Sequence, residues 1–512
     1  MHDEGRDPLP ATGSGPAEGQ PLRSIQWAQV LVLAALYSFP AFLCLHFADA
    51  RDPDVWWHLR VGEWILQNGA VPHTDPFSMF GAGKPWVAYS WLFELLIYQL
   101  FRWLGLAGLV VYTTGMVVCI AVVLHRLIRR LQSDFSLGVL LTAVASYSLI
   151  PLYTPRPWQF TILLFALELD LLLQARKNGR MRLLLWLPLL FALWANVHIQ
   201  FINGLVVLAI AAAESMLAAR WNVIQTRLRP GWLCGISLAC VLATLVNPYG
   251  WRIYQVAYGL ATQTGVLDKI TELSAMPFRG IHNWCVLLLA FGAVGVLARA
   301  RRFPFFDVAL LAFAVLVSFR SQRDVWVVVI AASAILASRL KGDEKNHLRL
   351  TAPFVPFVVV ATGLIIALVA VLLHMDNVRL RTNLAAGLPV RAVEVVKAKG
   401  WSGPLYNDFN WGGYLIWALR MPVAADGRQN VYGDERLNRS YVTWNAQPGW
   451  DSDPDLQKAN LVIAPVNAPL TQVLRLDTRF DVTYEDKLAV VFLARNSQSS
   501  GAGASVRLTS AH

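Results

Sequence analysis

Cysteine is scarce in the chain and badly placed for structural work: Cys44, Cys119, Cys234, Cys240 and Cys285 all fall in apolar stretches. No disulfide framework and no CxxC metal pattern can be built from them, and Cys234 and Cys240 read as small apolar packing residues. Charge is scarce as well, at 15% of 512 residues, whereas apolar residues make up 56%. That balance excludes the two or three soluble domains that the length alone would allow. The net charge of +11 is therefore no signal for nucleic acid and has to be sorted loop by loop. A GxGxxG turn, a P-loop, an HExxH helix and a nucleophile elbow are all missing from a supporting context. So is a short leader with a cleavage site: the first apolar run, Trp27 to about Ala48, is long enough to stay in the membrane as a signal anchor.

What is present is a succession of long apolar runs from Trp27 to His374, the mark of a polytopic α-helical membrane protein. Residues 1–22, rich in Gly, Pro and charge, read as a disordered cytoplasmic tail. After the first run come candidate spans near Ala107–Leu124, Leu137–Leu152, Trp158–Leu173, Leu183–Trp194, Phe201–Leu217, Trp232–Val246, Trp284–Leu297, Phe305–Phe319, Val325–Leu336 and Val355–Leu373. Basic residues gather in every second connection: Arg126/Arg129/Arg130, Arg176/Lys177/Arg180/Arg182, Arg220/Arg227/Arg229, Arg299/Arg301/Arg302 and Arg339/Lys341/Lys345/Arg349. The positive-inside rule assigns those loops to the cytoplasm. The alternation works only if the apolar but polar-studded segment Trp86–Leu104 makes no complete crossing. It is expected to be a re-entrant or interfacial helix, with Glu94 facing protein or water. About eleven spans remain, and an odd number sends the C-terminus outside.

The opposite loops, with the first external loop at 49–85, collect a different population. They hold Asp52, Asp54, His58, His73 and Asp75, then Arg156 and Gln159, then Asn196 and His198, then Arg252. Asp268, Lys269, Glu272, Arg320 and Arg323 follow. Acids, bases and amides converging from nearly every outer loop make a site the better explanation. In the run Asp52-Pro53-Asp54-Val55-Trp56-Trp57-His58-Leu59 the spacing predicts a helix over Val55–Leu66, with Asp54 as its N-cap and Asp52 outside it. Two such acids can ligate a divalent cation (Mg or Mn) through oxygen, or one can act as general base towards a hydroxyl. Because Asp54 has capping to do, the base role tilts to Asp52. Arg156, Arg252, Arg320 and Arg323 suit a phosphate of a lipid-linked molecule, by paired hydrogen bonds. His58, His73, Asp75, Glu94, Gln159, Asn196, His198 and Glu272 are the candidate substrate contacts.

From Asp376 the composition becomes that of a soluble domain. A helix over Pro389–Lys399 ends at Gly400. Strand-like Pro404–Asn407, helical Gly412–Leu419, strand-like Pro422–Ala425 and helical Asp434–Trp444 follow. Strand Leu461–Pro465, helix Leu470–Leu476 and a hairpin of Phe480–Glu485 with Leu488–Ala494 complete a small α/β sheet with an antiparallel edge. The domains are thus expected at 23–375 and 376–495, with a disordered tail at 496–512.

The run Asp52 to Leu59, with Gly62, Pro72-His73-Thr74-Asp75-Pro76-Phe77-Ser78, Trp86 and Trp91-Leu92-Phe93-Glu94, resembles the first external loop of bacterial GT-C glycosyltransferases, relatives of the protein mannosyltransferases. Arg156-Pro157, Trp194 to His198, Asn407 to Leu415 and Asp426-Gly427-Arg428 are similar to recurrent features of an uncharacterised branch of that superfamily. The resemblance implies a GT-C-like membrane domain with an extracytoplasmic α/β domain, in a multi-pass inner-membrane protein whose active face is periplasmic. It implies a polyprenyl-phosphate sugar donor, a catalytic acid at Asp52 or Asp54, and a glycan, lipid or protein acceptor. Membrane lipids are the other expected partners, and nucleic acid is not one. Two rivals stay open: a lipid-linked glycan transporter or flippase, and a non-catalytic assembly or sensor protein.

Overall fold

Apolar runs become helices because a backbone out of water must satisfy its own hydrogen bonds. The computed structural model of the protein describes residues 19–46, 52–79, 81, 83–221, 226–263, 270–343 and 350–495. Residues 1–18 and 496–512 of the expected tails, and Asp268, Lys269, Lys345 and Arg349, lie outside the described residues. Helix α1 (Gly19–His46) leads to α2 (Val55–Asn68) and α3 (Trp91–Leu104), which belong to the first loop. Then come α4 (Leu106–Leu131), α5 (Phe135–Ser148), α6 (Trp158–Asn178), α7 (Leu187–Val197), α8 (Phe201–Arg220), α9 (Pro230–Thr244), α10 (Arg252–Thr262), α11 (Ile281–Ala298), α12 (Phe305–Arg320), α13 (Val325–Arg339) and α14 (Val355–Leu372).

Six of these stretches are long and apolar enough to cross a membrane: Arg23–His46, Leu106–Leu131, Trp158–Asn178, Phe201–Arg220, Ile281–Ala298 and Ala352–Leu372. The other five expected spans form α5, α7, α9, α12 and α13, of 11 to 16 residues. At ~1.5 Å per residue even the longest reaches about 24 Å, short of a ~30 Å hydrocarbon core. Length and composition alone pick out these six. Helix α13 is buried from Val325 through Ala337, so it runs inside the bundle. Helix α3 has 14 residues and stops at Gly105, whose φ of 61° turns the chain into α4. It packs on α2 through Phe93, Glu94 and Ile97. The helix α10 after Trp251 was not anticipated in the sequence.

The C-terminal stretch holds α15 (Asn377–Ala385), α16 (Val390–Lys399), β1 (Leu405–Asn407), α17 (Phe409–Leu419), α18 (Gln429–Trp444), α19 (Pro454–Gln457), β2 (Leu461–Pro465), α20 (Pro469–Leu474), β3 (Phe480–Glu485) and β4 (Ala489–Ala494). Helix α16 ends as its glycine dictates, at Gly400 with φ 68°. The sheet order is β1-β2-β4-β3, with β1 parallel to β2 and the other pairs antiparallel. The expected strand Pro422–Ala425 is not one: Val423 makes only isolated bridges, to Leu405 and to Ser78. Pro422 has no N–H to give a ladder, and Asp426-Gly427 turns the chain into α18.

Alternation along the strands sorts two cores. Leu405, Leu461, Ile463 and Val491 share one with Trp56 and Leu59 of α2 and with Phe93 of α3. Val462, Val490 and Phe492 face the other way, against Trp444 and Leu470. The sheet thus packs directly on the first loop. Backbone bonds seal the contact: Met79 N–H donates to Val423 O at 3.0 Å, and Val423 N–H to Phe77 O at 3.1 Å.

Candidate active site

Asp54 stands before the first turn of α2, yet its carboxylate caps nothing. The expected division of labour is reversed. Asp52 Oδ1 accepts the Asp54 N–H at 3.0 Å, and both Asp52 oxygens accept from Arg156 Nε at 2.7 and 2.8 Å. Asp52 is therefore the structural acid, and Asp54 is left facing a cavity. The reason is Arg156, which arrives from the turn before α6 and outbids the helix N–H groups for the Asp54 carboxylate, because a guanidinium hydrogen bond carries a full charge. Arg156 also donates to Glu272 at 3.2 Å and lies 5.0 Å over the Trp158 ring.

Burial pushes the Asp54 carboxyl up to about 6; Arg156 opposes the shift, and Glu272 and Asp52 add to it. Behind it, His58 Nδ1 meets Glu94 Oε1 at 3.1 Å with both side chains buried. Burial holds His58 well below the usual histidine range, with Arg156 and His198 adding to it, and lifts Glu94 well above the carboxylate range. The two share a buried hydrogen bond. His198, bonded to Thr161 at 2.8 Å, is pushed down to about 3 by burial and then by Arg323.

The other candidates separate. Asp75 is a buried structural acid: it binds Arg428 at 2.6 Å and accepts from Phe77 N–H at 2.9 Å and from Ser78. Asn196 ties Trp91 Nε1 to the bundle at 2.8 Å. Gln159 is buried, and its amide has no partner among the described residues. Arg320 and Arg323 line a neighbouring cavity of about 290 Å³, and His73 and Arg252 a third of about 880 Å³. Gln429 lines all three cavities, so they adjoin.

A divalent cation does not fit between Asp52 and Asp54 in this arrangement. Arg156 bonds both Asp52 oxygens and Asp54 Oδ2, and it brings its own positive charge between the two acids. Among the described residues no group of three or more His, Cys, Asp or Glu is placed to hold a metal.

The Asp54 cavity, about 340 Å³, is closed by Asp408 and Asn410 of the Asn407-to-Leu415 motif, which were not expected as site residues, and by Ser440, Tyr441 and Trp444. Asp408 caps α17 by accepting Asn410 N–H at 2.9 Å, and burial raises its carboxyl to about 6. Two glycines allow this closeness. A Cβ at Gly413 would strike Pro53 O, and one at Gly427 would strike the Asp54 carboxylate. These are the glycines of the Asn407-to-Leu415 and Asp426-Gly427-Arg428 motifs, and only the fold shows what they approach.

The chain has a GT-C fold. Its likeness to the oligosaccharyltransferase AglB of Archaeoglobus fulgidus gives a TM-score of 0.55 for the apo form, at 12% identity over 88% of this chain and 70% of that one. The complex of that protein with an inhibitory peptide and a dolichol-phosphate gives 0.53, at 12% identity over 87% and 69%. ArnT of Cupriavidus metallidurans in the apo state gives 0.48, at 14% identity over 91% and 98%. No protein-family model matches the sequence, and no curated protein does.

Proposed function

We propose that this chain is a membrane glycosyltransferase moving a sugar from a polyprenyl-phosphate-linked donor to an acceptor outside the cytoplasm, by a single inverting displacement. The supporting observation is Asp54: a cavity-facing carboxylate with a pKa near working pH, in the fold of a protein solved with dolichol-phosphate and an inhibitory peptide. A general base works best with a pKa close to the operating pH. In this reading Asp54 takes the acceptor's hydroxyl proton and the oxygen attacks the anomeric carbon. The bond to the phosphate oxygen breaks, and polyprenyl phosphate leaves with the electron pair. Arg320 and Arg323, in the adjoining cavity, are the groups for that phosphate. Arg156 is a positioning residue: its donors are engaged by Asp52, Asp54 and Glu272.

Purified protein in nanodiscs, given a synthetic polyprenyl-phosphoryl sugar and cell-envelope extract, is expected to release polyprenyl phosphate. A transporter or an assembly protein would leave the donor intact, and an intact donor across a panel of sugars would count against the proposal.

The same reading places the site outside the cytoplasm. In a background with all five cysteines replaced, an impermeant thiol reagent added to whole cells should label Ser402→Cys and spare Asn178→Cys, both exposed positions. Labelling of position 178 under those conditions would reverse the orientation.

A further inference from the structure

We infer that the cavity beside Asp54 is the seat of a neutral carbohydrate, one sugar ring of a glycan acceptor, held by α18. The inference rests on the transferase reading for the word acceptor, and on the cavity alone for the word carbohydrate. Leu437, Ser440, Tyr441, Trp444 and Asn445 all line it. Their spacing of i, i+3, i+4, i+7 and i+8 is one face of a helix. That face mixes two aromatic rings with a hydroxyl and an amide, opposite the Asp408 carboxyl. Sugar rings present the matching surface, with C–H faces for aromatic rings and hydroxyls that both donate and accept. The Trp444 indole N–H has no acceptor among the described residues, and buried donors of that kind are costly unless something satisfies them.

Charge and shape narrow the class. Asp54, Glu272 and Asp408 face the cavity against the single cation Arg156, a balance that repels phosphates and other anions. The adjoining cavity carries Arg320 and Arg323 against Asp324, so the phosphate has a better place next door. No residue of β1, β2, β3 or β4 lines the Asp54 cavity. A peptide acceptor therefore finds no strand edge to pair with, the commonest way an extended peptide is held. At about 340 Å³ the space lies at the small end of the ~300–1,000 Å³ that small-molecule pockets span.

The test is saturation-transfer NMR on the full-length protein in nanodiscs, with methyl glycosides of neutral hexoses and pentoses as probes. Ring protons of at least one glycoside should receive saturation. Ser440→Phe, which fills the cavity, should weaken that binding by at least about tenfold, and Ser440→Ala should keep it, with the thermal midpoint unchanged in both. Asp408→Asn, which retains the cap, should also weaken it. No glycoside binding, binding indifferent to Ser440→Phe, or saturation of an Asn-x-Thr peptide in place of the glycosides would overturn the inference. Donor cleavage is read separately. Donor consumed with no glycoside bound sinks the carbohydrate site alone; Ser440-dependent glycoside binding with the donor untouched upholds the site and sinks the transferase.

Discussion

Asp54→Asn is expected to cut turnover by roughly two to four orders of magnitude, the usual share of a general base, while the protein stays folded and still binds donor. Each half of that expectation has its own ground. The Asp54 side chain caps no helix N–H, so the amide removes no capping bond, and Asn would cap about as well as Asp in any case. Asp52 and Glu272 still hold Arg156, and Arg320 and Arg323 line a different cavity. What disappears is the cavity-wall carboxylate assigned as the base. Asp52→Asn should behave differently. It weakens the buried clamp on Arg156, so it should lower stability and turnover together. The pH profile follows from the sign of the Asp54 shift. Burial raises its pKa to about 6, and the base form exists above that value, so wild-type kcat should fall as pH drops through about 6. The measurements are kcat with a lipid-linked donor, donor affinity and a melting curve for each variant. An Asp54→Asn enzyme turning over at the wild-type rate would end the base assignment.

The positions of α4, α6, α8, α11 and α14 were legible because each is a long apolar run flanked by charge, a pattern local to the segment. Helices α5, α7, α9, α12 and α13 are as apolar but shorter, at 11 to 16 residues, so length alone does not mark them as crossings. In α13 the composition means burial inside the bundle. The site was half legible. Asp52, Asp54, Arg156 and Glu272 were all named in the sequence and do meet. Their roles could not be read, because which acid Arg156 takes from a helix end is decided by contacts more than a hundred residues apart. Asp408 was legible only as part of a motif and the α18 face not at all, for a related reason: a turn acid and a polar helix stripe acquire meaning only from what they are packed against. The sheet core shared with α2 and α3 was equally hidden, since composition changes at Asp376 while packing does not.

Arg428→Met should be the most damaging single change away from Asp54. Arg428 is about 2% exposed and is held by Asp75 at 2.6 Å and by Asp426 at 2.7 and 2.8 Å. Tyr432 donates to Asp426, and the guanidinium lies 5.0 Å over Trp86 and 5.3 Å over Phe77. Asp75 belongs to the first loop and Asp426 to the C-terminal stretch, so Arg428 is the cation that joins them. Removing it leaves two buried carboxylates facing each other, a loss of about 3–5 kcal/mol, and frees the backbone contacts of Phe77 and Met79 with Val423. The cavity wall formed by Gly427 would then move from Asp54, so activity should fall with stability. The sign at low pH follows from Asp75. Arg428 holds its carboxyl below the ordinary range, so its contribution is complete above about pH 4 and is lost as pH falls through the depressed value. Neutralising the acids as well separates charge from packing. Arg428→Met combined with Asp75→Asn and Asp426→Asn should recover much of the melting temperature, because the uncompensated charges are gone. Protease sensitivity at the loop of residues 420–428, read beside the melting curve, reports whether the two parts have separated. A single Arg428→Met variant that melts and resists protease as the wild type does would show that the apolar core shared by the sheet, α2 and α3 is what joins them.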